Sequence, residues 1–569
     1  MRSIFIFTFL CLIYHVLLGS AVPLFERDDE VSPSLVQTDY FKPFLPLPET
    51  PTNVVRNYTF ELKKVPLAID GYSRLVWAVN GQYPGPMIRA NKGDTFNVTV
   101  INKFGSPATI HWHGIDQKGS NWYDGVPGTT QCPIPNGVTF SYVFNLTQSG
   151  TYWYHSHFVA QYVDGLKGLI VIHDPEDPYK KEYDYEYVLE MSDWYHKPTG
   201  DFVPEFRSPS YHGGDPMPDS GQITGVGQWN CTIPACTPTK FATYKVEKGK
   251  KYRFRIINTS AMAHFTVSID NHPLKIIEVE GTIIEPVVVN VLSINIAERY
   301  SVIVEANQPV GNYWIRANMS NCSLPGNGPA TINNETTVFT NLDITGILRY
   351  EGAPDTLPTS EAYPANVSNC HDQDPTTLKP ISLSPSVPTG DATRILLVVG
   401  VQPRPVLQAT INNSSIVMDF SYPSNKKVID GAGFITSDNA YPYDTPGGAI
   451  EIILNNTERT RTHPFHLHGH SFWVVYQGEV GSWNQSLDSL KYNFDNPIYR
   501  DIVTLNEASL TAIRYYADNP GVWLIHCHIE WHVEMGMVAQ LVELPSLFKQ
   551  STIPNQVLEL CEAYDSSNS

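Results

Sequence analysis

The 569-residue sequence predicts an all-β protein of three consecutive β-sandwich domains. Three observations predict it. Short runs rich in β-branched and aromatic residues, bounded by Gly, Pro, Asn or Asp, recur along the chain: Thr95–Ile101, Lys167–Ile172, Tyr252–Ile257, Arg299–Glu305, Ile450–Leu454 and Thr511–Tyr516. No long stretch of 3.6-residue periodicity competes with them. One set of residues also returns three times at roughly 160–210-residue spacing. Composition agrees. Charged residues are only 17%, aromatics are 12%, and 38 Gly with 44 Pro make many turns around large cores, so intrinsic disorder is excluded. The balance of 38 Lys+Arg against 57 Asp+Glu, a net −19, excludes nucleic acid and anionic membrane as partners, because both need a cationic face.

Taken in order, residues 1–21 predict a secretory signal. Arg2 precedes an apolar run from Ile4 to Leu18, and Gly19-Ser20-Ala21 supplies small residues for cleavage. The run is short for a membrane span, and no second one follows. The tail Cys561–Ser569 is polar, so neither an integral membrane segment nor a lipid-linked tail is expected. N-x-S/T sequons at Asn57, Asn97, Asn145, Asn230, Asn366 and Asn484, among others, suit a secreted glycoprotein. Cys11 leaves with the signal. Of the seven remaining cysteines, six can form three disulfides, which leaves one thiol for another use.

The sandwiches are expected over 50–176, 183–350 and 391–548, with a Pro/Ser/Thr-rich linker over 351–390 and a tail over 549–569. In the first, Lys92-Gly-Asp-Thr-Phe precedes His111-Trp-His113, and Gly150-Thr-Tyr-Trp-Tyr-His155-Ser-His157 follows. In the second, Lys248-Gly-Lys-Lys-Tyr precedes Ala263-His264, and Gly311-Asn-Tyr-Trp-Ile-Arg316-Ala-Asn318 follows. In the third, Gly448-Ala-Ile-Glu-Ile precedes His466-Leu-His468, and Gly521-Val-Trp-Leu-Ile-His526-Cys-His528 follows. The middle copy carries Arg316 and Asn318 where the outer copies carry histidines, so it keeps the fold without the ligands.

The four His-x-His pairs carry the chemistry. With 18 histidines, chance predicts about 0.6 such pairs. In a strand, residues i and i+2 share a face, so each pair is a two-pronged ligand set. A single pair is as readily a surface or satisfied histidine pair; four at equivalent repeat positions are not. They come from the first and third copies, which places their metal site between those domains. Cys527 lies between His526 and His528 and therefore faces the other way. His463, His532 and Met537 surround it in sequence. A His₂Cys set with a weak Met ligand is the blue-copper arrangement, and it gives the odd cysteine a use. Zinc accepts the same ligands but cannot change redox state. Eight imidazoles can hold three coppers. One plus three can store the four electrons that turn O₂ into water.

At these residues the chain resembles the multicopper oxidases: laccases, ascorbate oxidases and fungal ferroxidases. The resemblance runs from about Val54 to Glu543 and rests on His111-Trp-His-Gly114, Tyr154-His-Ser-His157, His463-Pro-Phe-His-Leu-His-Gly-His470 and His526-Cys-His-Ile-Glu-Trp-His532. It implies three cupredoxin-like Greek-key domains. It implies type 1 copper ligands His463, Cys527 and His532 with Met537 axial, and type 2 ligands His111 and His466. It implies one type 3 copper on His113, His155 and His528, and the other on His157, His468 and His526. His470 matches the motif but is not usually a ligand. Asp124 and Glu530 match the family's proton-handling carboxylates; their bland alternatives are a turn aspartate and a solvated glutamate. The disulfides implied are Cys132–Cys561, Cys231–Cys236 and Cys322–Cys370.

The cluster fixes the oxidant, O₂, but not the reductant. Asp215 in Gly213-Gly-Asp-Pro-Met-Pro218 matches the acid with which laccases accept a phenol proton; a turn aspartate before proline is the alternative. A ferroxidase would use Asp215 and Glu458, but Glu458 is offset by one residue and stands beside Arg459 and Arg461. Thr511-Ala-Ile-Arg514, Met535-Gly-Met537 and Gln228-Trp-Asn-Cys231 look similar to ascorbate oxidases, and Met537 departs from laccases with Leu or Phe there. An axial thioether lowers the potential of the site, which suits easily oxidised phenols. A copper-binding or electron-transfer protein without turnover is the alternative from another class. The sequence is therefore read as a secreted, monomeric, laccase-like multicopper oxidase with four coppers per chain. Its expected substrates are small phenols or diphenols and O₂, and pigment or secondary-metabolite phenol coupling is its expected setting.

Overall fold

The computed structural model describes residues 38–47, 53–211, 214–229, 236–320, 331–332, 335–336, 343–364, 370–402, 408–479 and 490–568. The signal segment, Cys231, Cys322 and the sequons at Asn230, Asn366 and Asn484 lie outside them. Each strand expected from sequence falls within an observed one, for example Thr95–Asn102, Lys251–Asn258 and Ser509–Tyr516.

Three pairs of sheets follow one another along the chain. In the first, Val55–Leu67 pairs with Arg74–Val79 and Thr95–Asn102, and Thr139–Asn145 completes a four-stranded sheet. A second four-stranded sheet holds Gly85–Asn91, Lys167–His173, Gly150–His155 and His111–His113. The strand Thr95–Asn102 alternates half-exposed and buried residues, and its inward Phe96, Val98 and Val100 enter a core with Phe60, Trp112 and Phe144. The middle pair has seven and five strands; the last has six and five. The fold is thus all-β, with three cupredoxin-like sandwiches.

Short helices serve the connections. The helix Asn555–Asn568 lays Val557, Leu560 and Tyr564 onto the first core, and Cys132–Cys561 pins it there across 429 residues. Cys236 and Cys370 are also disulfide-bonded. Residues 351–390 form no strand among those described, yet the segment is packed. Leu378 and Cys370 are buried, Pro380 bridges Ile284, and the Pro388 and Gly390 carbonyls accept from Arg514.

Candidate metal centres

The hydrogen-bond register sets the histidines against one another. His111 stands opposite His155, and His466 stands opposite His526. Alternation turns Trp112 into the first core and leaves His111 and His113 on the other face. In the middle sandwich the equivalent register sets Thr266 against Asn318 and Ser268 against Arg316. Arg316 there pairs with Asp270 at 2.9 Å, so an ion pair replaces ligands.

The outer pairs converge on one another. His113, His155 and His528 form one group, His157, His468 and His526 a second, and His111, His113 and His466 a third; the nitrogens of each lie within 4.8 Å. Carbonyls fix the ring tautomers. The Nδ1–H groups of His111, His155, His466 and His526 donate to the carbonyls of Asp124, Ser156, Asp501 and Cys527 at 2.7, 2.9, 2.8 and 2.8 Å. His468 Nδ1 donates to Asp124 Oδ2 at 2.8 Å. The Nε2 lone pairs of His468 and His526 consequently face each other at 3.0 Å. His111, His155 and His466 Nε2 are buried without a protein partner. Two bare lone pairs at contact repel, and a cation between them resolves the repulsion. The donor set therefore fits metal, and imidazole suits copper.

Electrostatics keeps these imidazoles neutral. Burial, then neighbouring imidazoles, holds His113, His155, His157, His466, His468 and His528 well below the ordinary histidine range, and burial lowers His526 to about 4. Unprotonated imidazole is the ligating form.

Cys527 points away from these rings. It is the one free thiol among the described residues. Its Sγ lies 3.6 Å from His463 Nδ1 and 3.4 Å from His532 Nδ1, and the two nitrogens are 3.1 Å apart. Burial pushes the thiol above its ordinary range, so a thiolate here requires a cation. Met537 is buried beside this triangle. Its N–H donates to the His532 carbonyl at 2.9 Å, and its carbonyl accepts from Cys527 N–H at 3.3 Å. His470 takes no place in either cluster; its Nε2 meets Glu543 at 2.7 Å.

The expected carboxylates divide by position. Asp124 is fully buried and touches two rings, His468 at 2.8 Å and His111 Nδ1 at 3.2 Å. Glu530 starts the helix Glu530–Glu534 and is buried, not solvated. It lines a cavity of about 40 Å³ walled by His155, His157, His526 and His528. Burial, then the charge of Glu534, raises its carboxyl well above the usual range. Asp215 Oδ2 lies 3.5 Å from His532 Nε2 and 3.3 Å from Arg461 Nη1, while its buried Oδ1 has no protein partner. Burial pushes this carboxyl up, but His532, Arg461 and His463 outweigh that and hold it below the ordinary range.

Sequence reasoning missed Asp501 and Arg299. Asp501 Oδ1 lies 3.5 Å from His113 Nε2 and 3.7 Å from His466 Nδ1, and Arg299 grips the carboxylate at 2.7 and 2.5 Å. Nothing in a lone Asp and a lone Arg, 202 residues apart, signals that contact.

Multicopper oxidase family models match residues 61–177, 185–353 and 403–546. A laccase of Phlebia radiata is 35% identical over 524 residues, covering 89% of this chain and 93% of that one. The oxidoreductase OpS5 of Beauveria bassiana is 36% identical over 530 residues, covering 90% and 86%. Among solved structures, the laccase from Botrytis aclada superposes with a TM-score of 0.80 at 34% identity, covering 91% of this chain and 92% of that one. Fet3p, a multicopper oxidase that functions in iron import, superposes with a TM-score of 0.78 at 28% identity, covering 90% and 95%. The converging histidines, the buried cysteine between two of them and these matches lead to one conclusion: the chain belongs to the multicopper oxidase family and is a copper-binding oxidoreductase.

Proposed function

We propose that this protein is a laccase-type oxidase that removes single electrons from phenols or diphenols and delivers four to O₂, forming water. One observation carries the reading: Cys527 sits in a His₂Cys triangle while its neighbours His526 and His528 sit in two different histidine groups. Four coppers per chain fit the donors. His463, Cys527, His532 and Met537 would hold one, and His111 and His466 a second. His113, His155 and His528 would hold a third, and His157, His468 and His526 a fourth. Bound copper supplies one-electron acceptance at the cysteine and O₂ reduction among the eight histidines.

The residues supply paths and protons. The Cys527 backbone links the two regions through a few covalent bonds. Asp215 sets Oδ2 3.5 Å from His532 Nε2 and leaves Oδ1 without a protein partner, so a phenol hydroxyl brought to this carboxylate can donate to it as an electron leaves. Glu530, whose carboxyl burial and then Glu534 push well above the usual range, can hold a proton and release it into the histidine-walled cavity. Asp124 orients His468 and His111. Fe(II) is the weaker reading, because Arg461 compensates Asp215 and Glu458 Oε1 already accepts from Val401 N–H at 3.0 Å.

Secretion and N-glycosylation belong to the same proposal. So do a monomeric state and domain limits of 50–176, 183–350 and 391–548 with a connecting 351–390 segment. Asn57 and Asn145 are exposed on the outer sheet of the first sandwich, and among the described residues no helix is long and apolar enough to cross a membrane. The test is O₂ uptake by the copper-loaded chain with a diphenol, ascorbate and Fe(II) at matched concentrations. Preference for the diphenol supports the reading. Preference for ascorbate or Fe(II) overturns the substrate, and no uptake with any donor overturns the oxidase.

A further inference from the structure

An open groove of about 440 Å³ runs along the surface between the first and third sandwiches. It abuts the cavity of about 40 Å³ that His155, His157, His526 and His528 enclose. His157, Val159, Val533 and Glu534 line both spaces, so they form the neck between them. Val159 is the exposed member of this set on the turn that follows the His155/His157 pair, with 38% of its surface accessible.

Its backbone is in an unfavourable conformation. Val159 has φ of 50°, in the left-handed region, where a β-branched side chain is an outlier. The surroundings impose it. Gln161 N–H donates to the Val159 carbonyl at 2.8 Å, Phe158 N–H donates to Ser156 Oγ at 3.2 Å, and Ser156 Oγ donates to Gln161 Oε1 at 2.8 Å. Phe158 packs on Phe420 of the facing wall with ring centroids 5.3 Å apart. Glycine or asparagine adopts this backbone more readily than valine. Strain that the fold maintains at the entrance to a site points to a use for the side chain.

We propose that Val159 is a specificity-determining gate whose isopropyl group narrows the neck so that O₂ and single waters pass while larger hydrated anions are held back. Val533 and Glu534 complete the neck, and Glu534 is paired with Arg207 at 3.5 Å. The gate acts on access to the histidine cavity and leaves the phenol side, at Asp215 and His532, untouched. This inference rests on the copper reading above.

The test is azide binding to the copper-loaded full chain, followed by stopped-flow absorbance and by calorimetry, with the KM for O₂ measured alongside. Val159→Gly suits the observed φ and removes the isopropyl group. It should speed azide association about tenfold, the scale of a few methylenes at a close-fitting wall, and leave the KM for O₂ within about twofold of the parent. The KM for the diphenol should not move. Val159→Asn also suits the backbone but keeps the volume, and its azide rate should stay within about twofold of the parent. Unchanged azide rates in Val159→Gly at full copper content would overturn the gate, as would equal acceleration in Val159→Asn, which would assign the effect to backbone relief. A parent chain that takes up neither copper nor azide overturns the metal reading, and the gate with it.

Discussion

The sharpest consequence of the site concerns Asp215→Asn. The substitution keeps shape and removes one negative charge 3.5 Å from His532 Nε2 and 3.3 Å from Arg461. Asp215 Oδ1 is buried without a partner, a state that costs on the order of 1–3 kcal/mol until a donor arrives. A phenol hydroxyl is such a donor, and its bond to a carboxylate contributes about 1.5–3 kcal/mol. At about 1.4 kcal/mol per decade, kcat/KM for a diphenol should fall between about tenfold and 150-fold. A donor without a transferable proton, such as hexacyanoferrate(II), uses the same electron entry and gains nothing from Oδ1. Its kcat/KM should hold or rise, because losing a carboxylate makes the neighbouring centre more oxidising. His532, Arg461 and His463 hold the carboxyl below its ordinary range, so the acceptor persists in mild acid and is lost only as pH falls through that lowered value. The assay is steady-state O₂ uptake with both donors at several pH values and verified copper content. Equal losses with both donors, or no loss with the diphenol, would refute the proton-acceptor role.

Further outcomes follow from the same geometry. Cys527→Ser should abolish the intense visible absorption of a copper–thiolate and lower bound copper from four to three per chain, read by absorbance and metal analysis. Arg299→Met leaves Asp501 buried and uncompensated beside His113 and His466 and should destabilise the chain by about 3–5 kcal/mol in denaturant unfolding. Burial lowers His264 to about 4, whereas an unfolded histidine titrates near 6.5. The unfolded chain therefore takes up this proton first as pH falls, and the contribution is lost below about 6.5. His264→Gln should remove about 2–3 kcal/mol of the stability difference between pH 7 and 4.5, measured by unfolding midpoints. Cys561→Ser opens a link spanning 429 residues and should lower the unfolding free energy by about 2–5 kcal/mol, read by denaturant unfolding of the variant beside the parent.

The converging histidine pairs were legible because strand periodicity is strict: any His-x-His on a strand presents both rings to one face, and the residue between them faces the other. That alone separates Cys527 from His526 and His528. The repeat was legible because each copy needs the same turn and the same aromatic run. Asp501, Arg299 and Glu534 were not legible, because their importance arises only where sandwiches pack. Val159 was hidden for a different reason. Its local preference is for extended backbone, and the turn bonds among Ser156, Phe158 and Gln161, with Phe158 packed on Phe420, hold it at φ of 50°. Arg316 and Asn318 in place of histidines could be read, but not the ion pair of Arg316 to Asp270.

The middle sandwich contributes to no histidine group among the described residues, yet it braces the groups of the other two. Its Arg299 holds Asp501 against two histidines of the outer sandwiches. Its Glu280 and Glu298 each meet Arg500 at 2.5 Å, which anchors the strand leading into Asp501. The Ala261 carbonyl accepts from Glu530 N–H at 2.8 Å, and Tyr195 Oη accepts from Trp531 Nε1 at 3.2 Å, so the helix carrying Glu530 and His532 is held from the same side. Asp215 then reaches His532 from that domain as well. Ligands drawn from two separate sandwiches need a third body to set their distance. Charges buried at that seam are useful because removing one partner is costly, which makes the seam rigid. The sandwich that carries Arg316 and Asn318 therefore braces the histidines of the other two, and it places Asp215 beside His532.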